Sequence, residues 1–212
     1  MVAPEPPADL HSISLPLPAA PRSTWYRLNN RIHRSPLFWS RRGVFRFDSA
    51  SAKWGVLYAA ESLTAAVQEI WSDAARWQPA IDWSEFDAVD AWEIRMPSGL
   101  NVLELAGPNL TTIRATLQCF VGAYAKSQRW AAALMEHPDD LDALQYLGRR
   151  CGRPCLALLG DNKKMRGYQS RLQVSKLGPL VNWNRFFASA HRLRFRFSNL
   201  PTVKPPGLFD AP

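Results

Sequence analysis

The sequence predicts a single domain of mixed α/β (α+β) type, with helices packed on a mixed β-sheet core. Short apolar runs of β-prone residues recur along the chain, and one of them leads directly into an amphipathic helical pattern. No internal stretch is rich enough in proline, glycine or serine to separate two domains. A chain of 212 residues can bury a substantial core, and nine tryptophans favour a packed globule over disorder.

The two ends of the chain are expected to lie outside this domain. Residues 1–21 combine prolines with small residues and predict a flexible N-terminal arm, and residues 201–212 predict a proline-rich C-terminal tail. The domain itself is then expected to cover residues 22–200. The N-terminus lacks the basic start and apolar core of a signal peptide, and no run approaches the ~18–20 apolar residues that span a membrane.

The first half of the domain predicts three strands and a helix. The strands are TWYRL at 24–28, GVFRF at 43–47 and VLYAA at 56–60. Ser62 is a suitable N-cap for a helix through Asp73. Its buried stripe is formed by residues at i, i+3 and i+4 spacing: Leu63, Ala66, Val67, Ile70 and Ala74. At roughly 100° per residue, Glu69 lies about 120° from the centre of this stripe, either at a cleft wall or on the solvated surface.

The second half continues the alternation of strands and helices. AWEIRM at 91–96 and NVLEL at 101–105 predict strands, and a helical region is expected over 112–135 with a break near Gly122. ALQYL and CLALL predict strands on either side of the turn at 149–154. HRLRFRF at 191–197 alternates strictly and predicts a half-buried strand. Its three arginines either face solvent or form a landing surface for phosphates or an acidic partner.

Charge and cysteine content restrict the kinds of site to consider. The net charge of +8, from 26 basic and 18 acidic residues, favours anionic partners such as nucleotides, nucleic acid or acidic proteins. Cys119, Cys151 and Cys155 form no CxxC pair, which predicts free thiols in a reducing cytoplasm and no metal site. The sequence contains no GxSxG, GxGxxG, P-loop or HExxH motif.

Seven short motifs follow one another in a recognisable order. They are WYRL (25–28), RFD (46–48), GVLYAAES (55–62), AAVQE (65–69), QRWAAAL (128–134), HPDDLDALQYLGRR (137–150) and CLALL (155–159). In this order and spacing, the chain resembles the RES domain family over roughly residues 22–161. Each motif is short, so the specificity of the resemblance lies in the order and spacing of the motifs along the chain.

The resemblance implies a fold similar to that of ADP-ribosyltransferases and the role of a bacterial toxin neutralised by an Xre-like antitoxin. The implied activity is cleavage of the nicotinamide–ribose bond of NAD+, by phosphorolysis or hydrolysis, in the cytoplasm. NAD+ is then a substrate, and no cofactor is implied. Transfer of ADP-ribose to a protein is the alternative reaction. A homodimer is compatible with the resemblance, and nucleic acid would be contacted only through the antitoxin.

The resemblance also implies which residues form the site. The family's arginines fall on Arg27 and Arg46, its tyrosine on Tyr58 and its glutamate on Glu69; Tyr26, Lys53 and Tyr146 are further candidates for substrate binding. Glycosidic cleavage requires a carboxylate beside the developing cationic sugar, which we assign to Glu69. Guanidinium groups suit a pyrophosphate, and a flat aromatic ring suits nicotinamide.

The chain departs from the family pattern at the serine. Gly148 occupies that position, and Ala143 occupies the position of a family glycine, so the hydroxyl expected near the nucleotide is absent. Arg149 and Arg150 follow and offer charge without a hydroxyl. The alternative interpretation is therefore a catalytically weakened module that uses its basic surface to bind a protein or nucleic acid.

Overall fold

The computed structural model describes residues 3–17, 23–77 and 80–201. Its strands are β1 (Thr24–Asn30), β2 (Gly55–Ala60), β3 (Ile81–Asp82), β4 (Val89–Arg95), β5 (Val102–Glu104), β6 (Ala143–Leu147), β7 (Pro154–Gly160), β8 (Gln173–Pro179) and β9 (Phe197–Ser198). Its helices are α1 (Leu63–Trp77), α2 (Trp83–Asp87), α3 (Gly107–Thr112), α4 (Gln118–Val121), α5 (Tyr124–Met135), α6 (Asn162–Arg171) and α7 (Phe186–Arg192), with 3-10 turns at Leu10–Ser12 and Leu180–Asn182.

Seven strands form one twisted sheet in the order β5-β6-β7-β2-β1-β4-β8. Strands β5 and β6 are parallel, whereas the other neighbouring pairs are antiparallel. The short strands β3 and β9 form a separate parallel pair. The predicted mixed α/β domain with a mixed sheet is therefore confirmed.

Apolar side chains cover both faces of the sheet. In β7 the side chains of Ala157 and Leu159 pack in the cluster that contains Trp130 of α5, while Leu156 and Leu158 pack in the cluster that contains Tyr168 of α6. This explains why CLALL is continuously apolar rather than alternating. A third cluster joins α1, α2 and α7. None of the described helices is long and apolar enough to cross a membrane.

Helix α1 begins as predicted and buries most of the predicted stripe. The Ser62 hydroxyl accepts a hydrogen bond from the amide of Ala65 at 3.2 Å, which confirms the predicted N-cap. Ile70 was expected in the core but is 50% exposed, and Trp71 is buried in its place against Phe86. Leu63, Ala66 and Val67 are buried as predicted and Ala74 packs against the third cluster, so the predicted stripe is wrong at Ile70.

The predicted strand GVFRF is wrong, because residues 43–47 form part of the loop between β1 and β2. Asp48, which is fully buried, accepts hydrogen bonds from the amides of Val44 and Phe45, both at 3.1 Å. Gln128 of α5 donates to the carbonyls of Gly43 and Phe45. These side chains satisfy the backbone groups that a neighbouring strand would otherwise pair.

The predicted strand at 191–197 is also wrong in its secondary structure. Residues up to Arg192 belong to α7, Arg194 adopts a left-handed conformation with φ of 58°, and only Phe197 enters a strand. The alternation is nevertheless reflected in burial, since Phe195 is buried while Arg194 is exposed. A helix end followed by a turn separates apolar from basic side chains as a strand does.

The predicted break near Gly122 is confirmed, since it separates α4 from α5, but residues 113–117 are not helical and α3 ends at Thr112. The domain boundaries themselves stay a prediction, and the C-terminal tail lies outside the described residues apart from Pro201.

The described part of the predicted N-terminal arm, residues 3–17, lies against the domain. Leu10 and Leu15 are buried in the cluster that contains Trp130. Glu5 accepts two hydrogen bonds from Arg129, both at 2.8 Å. This segment therefore forms part of the packing around α5.

Candidate active site

A pocket of about 620 Å³ opens between β1, β2, α1 and the loop that joins the first two strands. Six of the seven residues predicted for the site line it: Tyr26, Arg27, Arg46, Tyr58, Glu69 and Tyr146. The seventh, Lys53, is not among the lining residues. Its side chain is 68% exposed and its ammonium group pairs with Glu136 at 3.6 Å, so the structure does not bring Lys53 to this site.

Two of the predicted arginines present unpaired N–H groups. Arg46 is buried, lies over the ring of Tyr146 at 5.3 Å, and its Nη1 makes no hydrogen bond within the described chain. Arg27 donates to the carbonyls of Tyr58 and Phe38, at 3.4 and 3.0 Å, while its buried Nε has no partner among the described residues. Burial lowers the pKa of Arg27 to about 10, so the group stays cationic at neutral pH.

Arg150 adds a third guanidinium group to the pocket. It donates to the backbone carbonyl of Glu69 at 3.0 Å and pairs with Asp73, and its buried Nε is unpaired in the described structure. The sequence suggested only that Arg150 offers charge. The described structure thus leaves a buried nitrogen without a partner on each of three cations around one pocket, which is the arrangement expected of a site for an anionic ligand.

The hydroxyl of Tyr58 has two protein partners. It donates to Asp48 at 3.0 Å and accepts from the amide of Phe47 at 3.0 Å. Burial, together with the charge of Asp48, raises the pKa of Tyr58 well above its ordinary value. Tyr58 thus anchors the loop that carries Arg46, and its aromatic ring, edge-on to Phe45 at 5.8 Å, contributes to the pocket wall.

Glu69 is half-buried and held by the turn after β6. Its Oε1 accepts hydrogen bonds from the amides of Arg150 and Cys151, at 2.7 and 2.8 Å. Within the described chain, no N–H group donates to Oε2. Glu69 therefore lies in the same pocket as Arg27 and Arg46, fixed by one oxygen.

Gly148 allows this position of the carboxylate. A Cβ atom built on Gly148 would lie 2.5 Å from Oε1 of Glu69, 2.8 Å from its Cδ and 2.5 Å from Sγ of Cys151. These distances are too short for real contacts. Where the family pattern has a serine, the glutamate carboxylate and a thiol occupy the space instead.

Sequence reasoning missed the groups that hold Glu69. The backbone amides of Arg150 and Cys151 carry no side-chain signal, and they lie 81 and 82 positions away from Glu69. The one available signal was the glycine at position 148, which marks a close approach of another group to the backbone. His33, Phe38 and Tyr124 also line the pocket without having been predicted as site residues.

The family model of the RES domain matches residues 24–176. In a comparison of structures, the chain is similar to one in the crystal structure of the M. tuberculosis MbcT–MbcA toxin–antitoxin complex, with a TM-score of 0.55 and 20% sequence identity. The similarity covers 75% of this chain and 86% of that one, and at this identity it concerns the fold. No curated protein sequence matches the chain.

Proposed function

This chain belongs to the RES domain family, and we propose that it is a toxin that cleaves the nicotinamide–ribose bond of NAD+. The observation that carries the proposal is the pocket itself, in which one positioned carboxylate faces a space bordered by Arg27, Arg46 and Arg150. A dinucleotide combines a pyrophosphate with a glycosidic bond to a cationic leaving group. The pocket offers a complementary group for each part.

The arginines are assigned to the pyrophosphate. Nη1 of Arg46 and Nε of Arg27 are buried and have no partner among the described residues, so a phosphate oxygen that accepts from them removes an existing penalty. Charge-assisted hydrogen bonds from guanidinium to phosphate are short and strong. The rings of Tyr58 and Phe45, which meet at 70°, form an apolar wall for nicotinamide.

Glu69 is assigned to the reacting ribose. As the C1′–N bond breaks, its electron pair passes to the pyridinium nitrogen, nicotinamide leaves as a neutral molecule, and the sugar becomes oxocarbenium-like. The carboxylate stabilises this positive charge, and no strong general acid is needed. The two amides on Oε1 fix the carboxylate in advance, so that little reorganisation is required in the transition state.

The test is release of nicotinamide from NAD+ by the purified chain, with and without inorganic phosphate. Glu69→Gln keeps the shape of the side chain and removes its charge, and we expect a loss of about 10²–10³ in kcat, the range found for preorganised electrostatic groups. Glu136→Gln, on the exposed surface, is the matched control. A Glu69→Gln variant with the activity of the native protein would refute the assignment.

The products identify the acceptor of ADP-ribose. Water gives ADP-ribose and a proton, and inorganic phosphate gives the 1″-phosphate of ADP-ribose. Labelled NAD+ in a cell lysate would instead mark a protein band if the alternative, ADP-ribosyl transfer to a protein, is correct. Absence of turnover in every arm, with folded protein, would leave the basic binding module as the better interpretation.

We also propose that an antitoxin covers the mouth of this pocket. Phe38, Val44, Phe45 and Ile70 line the pocket and are each about half exposed, which forms an apolar rim around a cationic interior. An antitoxin with apolar and acidic side chains would complement it. Val44→Asp is expected to weaken a complex with an Xre-like antitoxin in size-exclusion chromatography, whereas Leu177→Asp, of similar exposure on β8, should leave it unchanged.

A further inference from the structure

Two thiols lie beside the carboxylate of Glu69. Cys151 comes from the turn after β6 and Cys155 from β7, and their sulfur atoms are 3.8 Å apart. The ligand atoms of Glu69, Cys151 and Cys155 all lie within 4.8 Å of one another. The spacing of the cysteines along the sequence predicted no metal site, because no further ligand lies near them in the chain. The structure supplies one from α1, more than 80 residues away.

The spacing of the sulfur atoms fits two ligands of one cation. Zinc in proteins is bound tetrahedrally with Zn–S distances of about 2.3 Å, which places two sulfur ligands about 3.8 Å apart. A disulfide would instead require a separation of about 2.05 Å. We propose that Glu69, Cys151 and Cys155 form a binding site for a thiophilic divalent cation such as Zn²⁺.

The three donors would supply the charge that a cation needs, because one carboxylate and two thiolates outweigh a divalent cation even in a pocket that Arg46 and Arg150 also line. Cys155 and Glu69 line the pocket, so a fourth coordination position would face the pocket and admit water or a small ligand. The hydrogen bonds from the amides of Arg150 and Cys151 to Glu69 fix the carboxylate, as supporting contacts do around metal ligands. Gly148 leaves the space between the donors open, because any side chain there would contact both Cys151 and Glu69.

The two thiols also change each other's pKa. A hydrogen bond between them lowers the pKa of Cys151 and raises that of Cys155. Binding of a cation by both sulfur atoms would displace the thiol protons into solvent.

Occupancy of this site would engage Glu69. The cation would neutralise the carboxylate that we assign to the ribose, so it should inhibit nicotinamide release. This consequence rests on the proposed function, whereas binding of the cation does not.

The experiment uses the full chain, stripped of metal under reducing conditions and titrated with Co²⁺ as a spectroscopic probe for Zn²⁺. We expect one Co²⁺ per chain, a thiolate-to-cobalt charge-transfer band, and its loss when Zn²⁺ is added. Cys151→Ser, at a half-buried position, and Cys155→Ser, in the core, should each lose the band. Cys119→Ser is the matched control and should keep it, since that thiol lies elsewhere and donates to the carbonyl of Pro4.

Absence of the band in the native chain, or a band that persists in both Cys151→Ser and Cys155→Ser, would overturn the proposal. Circular dichroism of each variant separates a lost site from a lost fold. A chain that binds Co²⁺ without cleaving NAD+ would refute the proposed function and leave the metal site standing. A chain that cleaves NAD+ without binding Co²⁺ would refute the metal site and leave the proposed function standing.

Discussion

Replacing Gly148 by serine should damage the site, although serine is the residue of the family pattern. The Cβ of any side chain at this position would lie 2.5 Å from Oε1 of Glu69 and 2.5 Å from Sγ of Cys151. The thiol can rotate, but the carboxylate is held by two amides of the same turn. Serine therefore forces Glu69 to leave at least one of them.

The size of the effect follows from the hydrogen bonds that are lost. A hydrogen bond to a charged group contributes about 1.5–3 kcal/mol. Since about 1.4 kcal/mol corresponds to a factor of ten in rate, loss of one bond to Glu69 predicts a decrease of about 10- to 100-fold in the rate of nicotinamide release. The decrease should appear in kcat more than in KM, because the carboxylate acts on the charge that develops in the transition state.

Steady-state assays of Gly148→Ser and Gly148→Ala, alongside the native chain, check this reasoning. Gly167→Ser is the matched control, because nothing lies within 4 Å of a Cβ at that exposed helical position. We expect both variants at position 148 to be impaired to a similar degree. A serine variant that is as active as the native chain, or more active, would refute the argument, since glycine would then be a defect and not an adaptation.

Three further predictions concern the residues around the pocket and α5. Arg46→Lys keeps a charge but loses the guanidinium fork, so we expect KM for NAD+ to rise about tenfold or more; an unchanged KM would contradict the pyrophosphate assignment. Tyr58→Phe leaves the buried Asp48 without one of its hydrogen-bond donors and should lower the free energy of unfolding by about 1–3 kcal/mol. Urea denaturation measures this difference, and an unshifted urea midpoint would argue against an anchoring role of Tyr58. Arg129 and Lys126 hold the pKa of Glu5 at about 2, below its ordinary 4.5. The stability that Glu5 contributes should be complete above pH 4.5 and disappear as the pH falls toward 2, so thermal midpoints of the native chain and Glu5→Gln should converge over that range.

Local sequence patterns predicted the parts of the fold that local chemistry determines. The run VLYAA predicted β2, and Ser62 predicted the start of α1. The apolar runs on either side of the turn at 149–154 predicted β6 and β7. These predictions succeeded because apolar runs and a side-chain cap act within a few residues. The strand predicted for GVFRF does not form, because the buried Asp48 and the distant Gln128 make hydrogen bonds with the backbone groups of this segment. Neither contact is visible in an alternation of five residues.

In the candidate site, too, some features were predictable from the sequence and others depend on contacts between distant residues. Ordered motifs placed Arg27, Arg46, Tyr58 and Glu69 in one pocket, although their roles stay predictions. Lys53 is not among the residues that line the pocket and pairs with Glu136 at the end of α5; a lysine in a loop has no sequence pattern that distinguishes a ligand contact from such an ion pair. The contact between Glu69 and the turn at 148–151 depends on backbone amides, which every sequence possesses.

The guanidinium N–H groups around the pocket that have no partner within the described chain carry a cost until a ligand accepts hydrogen bonds from them. A buried donor without a partner destabilises a protein by about 1–3 kcal/mol, and a ligand present at 100 times its Kd adds about 2.7 kcal/mol of stability. The molecule that completes these contacts is, under the proposed reaction, the one that is consumed. Such a protein would be most resistant to heat and proteolysis while its substrate is plentiful, and would become more vulnerable to degradation as it exhausts the supply.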